Sequence, residues 1–364
     1  MKILAAFDSF KESMSAIEAG EAVKKASCHT VIIKALADGG EGTMDAVNDY
    51  LKGNIHTVEV TGPLFEKTSA RLSICNDLAI IESAQACGLD LLTEEKKNAL
   101  LTTTYGVGEM ILYAYNHQVR NFMITLGGSS TNDGGAGMLS ALGIRFYNKE
   151  KHLMIPTACS LKDIDEIDLS EYLLKDCHFI AACDVTNPLT GIEGATYIFG
   201  PQKKIKKEDL QEIDKGMSHY ADKTAYILNK DNRAYPGAGA AGGLGFAIVS
   251  YLNGQLKSGF DMVASYTCLE EAIKEADIIF TGEGKMDRQT LQGKTPFGVL
   301  QLAKKYHKKV IAFSGRVEDK ELLLKAGFEN VYCINHEDLP LKELLKKGKD
   351  NLYLEVKRYC DEYL

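Results

Sequence analysis

Lys2-Ile-Leu-Ala-Ala-Phe7 and Val31-Ile-Ile-Lys-Ala-Leu36 are the two stretches on which the fold turns. Each is a short apolar run bounded by polar residues, the pattern of a strand buried on both faces. The first ends in Asp8-Ser9-Phe10-Lys11 and the second runs on to Asp38-Gly39-Gly40-Glu41-Gly42. Between them Ser15-x-x-Glu18 has capping-box spacing, and Ala16, Ala19, Gly20, Val23 and Ala26 share one helical face. A second helix is expected after Gly42. Strand, helix, strand in this order is a βαβ unit, so the sheet is expected to be parallel.

The same rhythm returns near the C-terminus. Strands are predicted at Asp277–Thr281, Lys309–Ser314 and Asn330–Ile334, with helices at Pro296–Tyr306 and Lys320–Ala326 and a charged amphipathic helix from Leu339 onward. Five parallel strands make a flavodoxin-like doubly wound sheet. The middle has another texture. Ile55–Val60, Ala70–Ile74 and Leu78–Glu82 are short strands separated by Gly62-Pro63 and Asn76-Asp77, a meander that is antiparallel or mixed. Strands at Asn121–Leu126 and His178–Cys183 run into polar loops, and Leu210, Ile213, Met217, Tyr220, Thr224 and Ile227 have near-helical spacing. The economical arrangement is an α/β protein of two domains. Residues 1–60 plus 270–364 form the doubly wound domain, and residues 61–269 form an inserted, glycine-loop-rich mixed α/β domain.

Composition narrows the class. The chain has 364 residues, 45% hydrophobic and 25% charged, values of a globular protein with room for about two domains. Lys+Arg 42 against Asp+Glu 50 leaves a net charge of -8, which disfavours nucleic acid as a partner. The basic runs Lys203 to Lys207 and Leu344 to Lys349 read as solvated faces. No apolar stretch approaches the roughly 20 residues that span a bilayer. The opening apolar run stops at Asp8, unlike a signal peptide. The 9 scattered cysteines lack a Cys-x-x-Cys and read as free cytosolic thiols, so a cytoplasmic setting is expected.

The 33 glycines cluster in loops with acids and hydroxyls: Asp38–Gly42, Gly127–Gly137, Gly237–Gly245 and Gly282–Gly284. Any one such loop is as readily a tight turn, but four together favour phosphate binding, because glycine lets backbone amides approach an anion. Gly237-Ala-Gly239-Ala-Ala-Gly242 fits G-x-G-x-x-G yet no strand precedes it, so a dinucleotide fingerprint is rejected; Gly239 and Gly242 stay as candidates through their cluster alone. Gly293-Lys294-Thr295 resembles the end of a P-loop whose first glycine would fall on Arg288, so that motif fails too. Lys294 either meets a phosphate or is an ordinary surface lysine. Acids stand at strand ends: Asp8, Asp38, Glu82, Asp133, Asp184, Glu283 and Asp287. Each alone is a common cap or turn residue, whereas several in one crevice suggest Mg²⁺ held with substrate phosphates. Amides, a lysine, Mg²⁺ and a carboxylate near an acceptor hydroxyl are the inventory of phosphoryl transfer.

At these loops the sequence resembles the bacterial type-1 glycerate kinase family. The segments that carry the likeness are Phe7-Asp-Ser-Phe-Lys-Glu-Ser, Ala37-Asp-Gly-Gly-Glu-Gly-Thr, Gly127-Gly-Ser-Ser-Thr-Asn-Asp-Gly-Gly-Ala-Gly-Met, Ala182-Cys-Asp-Val-Thr-Asn-Pro-Leu, Phe199-Gly-Pro-Gln-Lys, Pro236-Gly-Ala-Gly-Ala-Ala-Gly-Gly-Leu-Gly and Thr281-Gly-Glu-Gly-Lys-Met-Asp-Arg-Gln-Thr. They run in order along nearly the whole chain. Phe7 stands where the family more often has proline, and Lys204 where glycine is usual. The resemblance implies ATP-dependent phosphorylation of D-glycerate, with 2-phosphoglycerate the usual product, in two α/β domains with a cleft between them. It implies ATP and Mg²⁺ as cofactors, no membrane partner, and assembly, if any, as a homo-oligomer. In that frame Lys11 counters phosphate or carboxylate charge, with Asp8 beside it in the catalytic set. Gly127, Gly128, Ser129, Ser130, Asn132, Gly134 and Gly135 form the phosphate cradle, with Gly239, Gly242, Glu283 and Lys294 as further nucleotide contacts. Asp133 or Asp287 takes the metal, and Asp184 faces the acceptor hydroxyl, with metal ligand or turn cap as its other readings. The rivals are a kinase for another small hydroxy acid and a non-catalytic binding protein for a phosphorylated acid.

Overall fold

The computed structural model describes residues 1–364. The chain divides into two compact units, one of residues 1–38, 45–52 and 259–364, the other of residues 39–44 and 53–258.

The first unit is built on a five-stranded, wholly parallel sheet in the order Asn330–Cys333, Lys309–Ser314, Ile278–Gly282, Lys2–Phe7, Thr30–Ala35. In chain order that is 2-1-3-4-5, the flavodoxin-like arrangement expected from the βα rhythm. Lys2–Phe7 is buried at every position after Lys2, because helices cover both faces of the sheet. The Ala16–Ala26 helix begins at the predicted capping box, with Glu18 N–H donating to Ser15 Oγ and Ser15 N–H to Glu18 Oε2. It packs against the C-terminal helix Leu341–Tyr363. The core joins Ile3, Phe7 and Val23 to Phe280, Phe313, Leu352 and Val356.

The second unit carries a six-stranded mixed sheet in the order Gln255–Lys257, His178–Ala182, Asn121–Thr125, Leu78–Glu82, Lys67–Cys75, Asn54–Thr61. The last three form the antiparallel meander, turning through Asn76, which is left-handed at φ 52. The first four run parallel. Leu210–Leu228 realises the predicted helical stripe except at its end, burying Leu210, Ile213, Met217, Tyr220 and Thr224 and leaving Ile227 exposed. Asn54–Thr61 lies in this sheet, a correction to placing everything up to residue 60 in the doubly wound domain. Its hairpin partner Lys67–Cys75 draws it there. The second unit likewise ends at Ser258 and not at 269, since Gly259–Tyr266 and Leu269–Glu275 are helices of the first unit. No helix is long and apolar enough to cross a membrane.

Candidate active site

In the first unit Lys2–Phe7 lies beside Ile278–Gly282, with Phe7 in register with Gly282. This is where the sheet's connections diverge to opposite sides, the switch point at which open α/β sheets bind ligands. Asp8 and Glu283 are the next residues of those two strands, and Asp38 follows Thr30–Ala35 on the neighbouring strand. Asp8 is buried; Ser9 N–H donates to its Oδ1 at 2.6 Å and Thr295 Oγ1 to its Oδ2 at 2.5 Å. Burial, then the charges of Asp38 and Glu283, push its carboxyl up to about 7. Burial also raises Glu283, opposed by Lys294, whose Nζ sits 3.2 Å from Oε2, and by Thr290 Oγ1 at 2.7 Å from Oε1. Lys294 and Glu283, both nucleotide candidates, are thus each other's partners. Lys11 is exposed in the turn after Phe10, its backbone N 3.7 Å from where a Cβ on Gly284 would lie. Asp287 accepts from Gln289 N–H at 2.8 Å and pairs with Lys285 at 3.0 Å; against the opposing effect of burial, Lys285 holds its carboxyl below the usual range.

In the second unit Leu78–Glu82, Asn121–Thr125 and His178–Ala182 run parallel and in step, Glu82 and Ala182 both in register with Thr125. The glycine loop and Asp184 therefore leave adjacent strands at one edge of the sheet. Asp184 is exposed, two residues beyond the end of His178–Ala182 and outside any helix or strand. Glu82, also at this edge, is buried and accepts from Met44 N–H at 2.9 Å, while a Cβ on Gly127 would lie 3.2 Å from Gly40 Cα. Gly128 is left-handed at φ 72, with only Ala84 Cβ near its missing side chain, at 3.5 Å.

Several expected donors prove to be braces of the loop. Ser130 donates through both N–H and Oγ to Cys87 O, at 2.7 and 2.9 Å, and Asn132 Nδ2 donates to Thr196 Oγ1 at 3.0 Å. Gly134 N–H donates to Gly242 O at 2.9 Å. A Cβ on Gly242 would fall 2.0 Å from Thr131 O, one on Gly135 2.5 Å from Ala247 Cβ, and one on Gly239 2.3 Å from Pro188 O. Gly239 and Gly242, expected as phosphate contacts, stand where two backbones touch, which gives each a packing role. Asp133, expected as a metal ligand, is engaged within the chain. It is 0% exposed, and its carboxylate takes Thr104 N–H, Thr104 Oγ1, Gly135 N–H and Gly137 N–H between 2.8 and 3.2 Å. Burial raises its pKa against those four bonds. No cluster of three or more His, Cys, Asp or Glu in the chain is placed to hold a metal.

One residue escaped the sequence reading. Lys203, taken with Lys204 to Lys207 as part of a solvated face, is 2% exposed, and its Nζ donates to Ser129 Oγ at 3.0 Å and Thr131 O at 2.7 Å. The available signal was Phe199-Gly-Pro-Gln-Lys203, one of the segments carrying the family likeness.

A model of the glycerate kinase family matches residues 3–362, all but the two ends of the chain. The chain belongs to the glycerate kinase family. Among its relatives, a glycerate kinase of Bacillus cereus is 42% identical, the match covering 98% of this chain and 96% of that one. A glycerate 2-kinase of Escherichia coli K12 is 41% identical over 97% and 95%. The crystal structure described as glycerate kinase 2 of Salmonella typhimurium LT2 superposes with a TM-score of 0.90 at 37% identity, covering 99% of this chain and 97% of that one. Thr281–Thr290 and Gly127–Met138, two of the segments shared with the glycerate kinases, stand at the ends of Ile278–Gly282 and Asn121–Thr125. Lys204, where the resemblance leads to glycine as the expected residue, is held at φ 65, the left-handed region glycine enters without strain.

Proposed function

We propose that the protein transfers the γ-phosphoryl group of ATP to the 2-hydroxyl of D-glycerate, giving 2-phosphoglycerate and ADP. The observation that carries this reading is the near full-length likeness to proteins named glycerate kinase, including one named glycerate 2-kinase. In the second unit, the loop Gly127–Ser129 offers its backbone and the Ser129 hydroxyl to phosphate, with the Lys203 charge behind it. Asp184, exposed beside that loop, takes the proton of the 2-hydroxyl as its oxygen bonds to phosphorus; the β–γ bridging bond breaks and its electron pair leaves with ADP. Lys11 is exposed and supplies positive charge to the carboxylate of glycerate or to phosphate.

Magnesium belongs with ATP in this reading. Asp133 is buried with four hydrogen bonds from its own chain, and Asp287 is paired with Lys285. No preformed set of acids awaits the ion, so Mg²⁺ would enter on the phosphates of ATP, and its charge would relieve the repulsion that Asp38 and Glu283 exert on Asp8. All nine cysteines are free thiols, in keeping with a reducing, cytoplasmic setting.

The test is ADP release by the purified protein with Mg²⁺ and ATP, with and without D-glycerate, and ³¹P NMR of the product. Turnover that D-glycerate does not stimulate, or a product phosphorylated at the 3-position, overturns the reading. A panel of other small 2-hydroxy acids, compared by kcat/KM, tests the choice of acceptor.

A further inference from the structure

Buried lysines are rare because removing an ammonium from water is costly unless its hydrogens are taken up. Lys203 is 2% exposed, and burial lowers its pKa to about 8, with Cys87 and Asp133 the ionisable groups acting on it. A methionine would fill similar space without that cost. The lysine's position is fixed by its own backbone, whose N–H donates to Gly200 O at 2.9 Å and whose O accepts from Ala99 N–H at 3.1 Å. Asp133 spends its carboxylate on four donors of the chain, and Cys87 is kept as a neutral thiol by burial, which raises it to about 12.

We propose that Lys203 is the positioning residue of the glycine loop: it holds Ser129 and Thr131 from behind, directs the Ser129 hydroxyl hydrogen toward a bound phosphate, and supplies fixed positive charge without touching the nucleotide. This rests on the reading that Gly127–Ser129 holds phosphate. Two observations support it independently of the lysine's burial. Nζ donates to Ser129 Oγ at 3.0 Å, so that hydroxyl accepts from the lysine and its own hydrogen is turned to another acceptor. Asn132 Oδ1, in the same loop, is buried with no hydrogen-bond partner, so the loop retains unspent polar capacity. The neighbours Ser130 and Asn132 are each anchored elsewhere, by Cys87 O and Thr196 Oγ1, which leaves the Ser129 hydroxyl as the group whose direction Lys203 sets.

The test compares Lys203→Met, Lys203→Arg, Ser129→Ala, the double variant K203M/S129A and Gly128→Val in the full chain. ATP dissociation constants are measured by calorimetry with Mg²⁺, alongside KM for each substrate and thermal melts. Loss of a charge-assisted hydrogen bond weakens binding by roughly 10- to 100-fold. Lys203→Met should lose ATP affinity in that range while KM for D-glycerate moves less than about threefold, and Lys203→Arg should recover most of it. The double variant should bind ATP no more weakly than Lys203→Met alone, because the two residues act as one unit. Should Lys203→Met fail to fold, Ser129→Ala alone decides: unchanged ATP affinity overturns the proposal. If Gly128→Val abolishes ATP binding while folded Lys203→Met binds normally, the role of Lys203 falls and the loop reading stands. If Gly128→Val also binds ATP normally, the loop reading itself falls.

Discussion

Asp8 and Asp133 each stand in a polar loop beyond a buried parallel strand, one in each unit, and both carboxyls are raised by burial. Their surroundings differ in kind. Asp133 receives four hydrogen bonds and ties Thr104 to the start of the Ala136–Ala141 helix. Asp8 receives two and is repelled by Asp38 and Glu283. A carboxylate with its oxygens fully engaged is a brace; one held against other carboxylates is a site awaiting positive charge. The glycines divide in the same way: Gly242 exists for backbone contact, whereas Gly128 faces open space apart from Ala84.

The contrast is most easily broken at the glycines. Gly242→Ala forces a Cβ to 2.0 Å from Thr131 O at φ 66, so it should cost more than about 4 kcal/mol and appear as insoluble or unfolded protein. Gly128→Val is strained at φ 72 but meets only Ala84 Cβ, so it should cost less, about 1–3 kcal/mol, and give soluble protein that melts a few degrees below the wild type and no longer turns over ATP. A soluble, active Gly242→Ala would remove the packing account.

The acids come next. Asp184→Asn keeps shape but cannot take a proton, so kcat should fall roughly 10²–10⁴-fold with the thermal melt unmoved. Asp133→Asn turns an acceptor into a donor facing donors and should cost about 3 kcal/mol, read as a lowered melting temperature. If the two variants exchange these phenotypes, brace and base have been assigned the wrong way round.

Asp8→Asn should do the opposite of Asp133→Asn. The folded pKa of Asp8 lies near 7, above its unfolded value near 3.8. Its neutral form therefore favours folding, and that contribution is full below pH 4 and lost as pH rises toward 7. Without Mg²⁺ at pH 7.5, Asp8→Asn should melt roughly 2 °C or more above the wild type, the shift that about 1 kcal/mol produces. Mg²⁺ added with ATP should raise the wild type more than the variant. A variant that melts lower places Asp8 with the braces. The smallest effect is expected at Lys204→Gly: relief of the left-handed backbone, less the exposed ion pair with Glu94 at 3.1 Å, should stabilise by under about 1 kcal/mol without changing kcat.

Much of the architecture was legible because it is local. The βα rhythm at the two ends of the chain predicts the five parallel strands, Ser15 and Glu18 mark a helix start, and Leu210 to Ile227 mark a helix. The site was legible in its loops and less so in its roles. Ser129 and Lys203 are 74 positions apart, and Thr104 and Asp133 are 29 apart. Nothing in the spacing of a single lysine within Lys203–Lys207 distinguishes a buried cation from a solvated one.

Sequence by itself determined the strands and helices at the two ends of the chain, the parallel sheet they build and the family, because hydrophobic period, caps and long motif strings are properties of contiguous residues. Only the tertiary structure decided which sheet Asn54–Thr61 joins, that Gly242 serves Thr131, that Asp133 is spent, and that Lys203 lies behind Ser129. Those outcomes depend on which distant donors, acceptors and charges share a dry interior. That is a matter of long-range contact and desolvation, which no local pattern encodes.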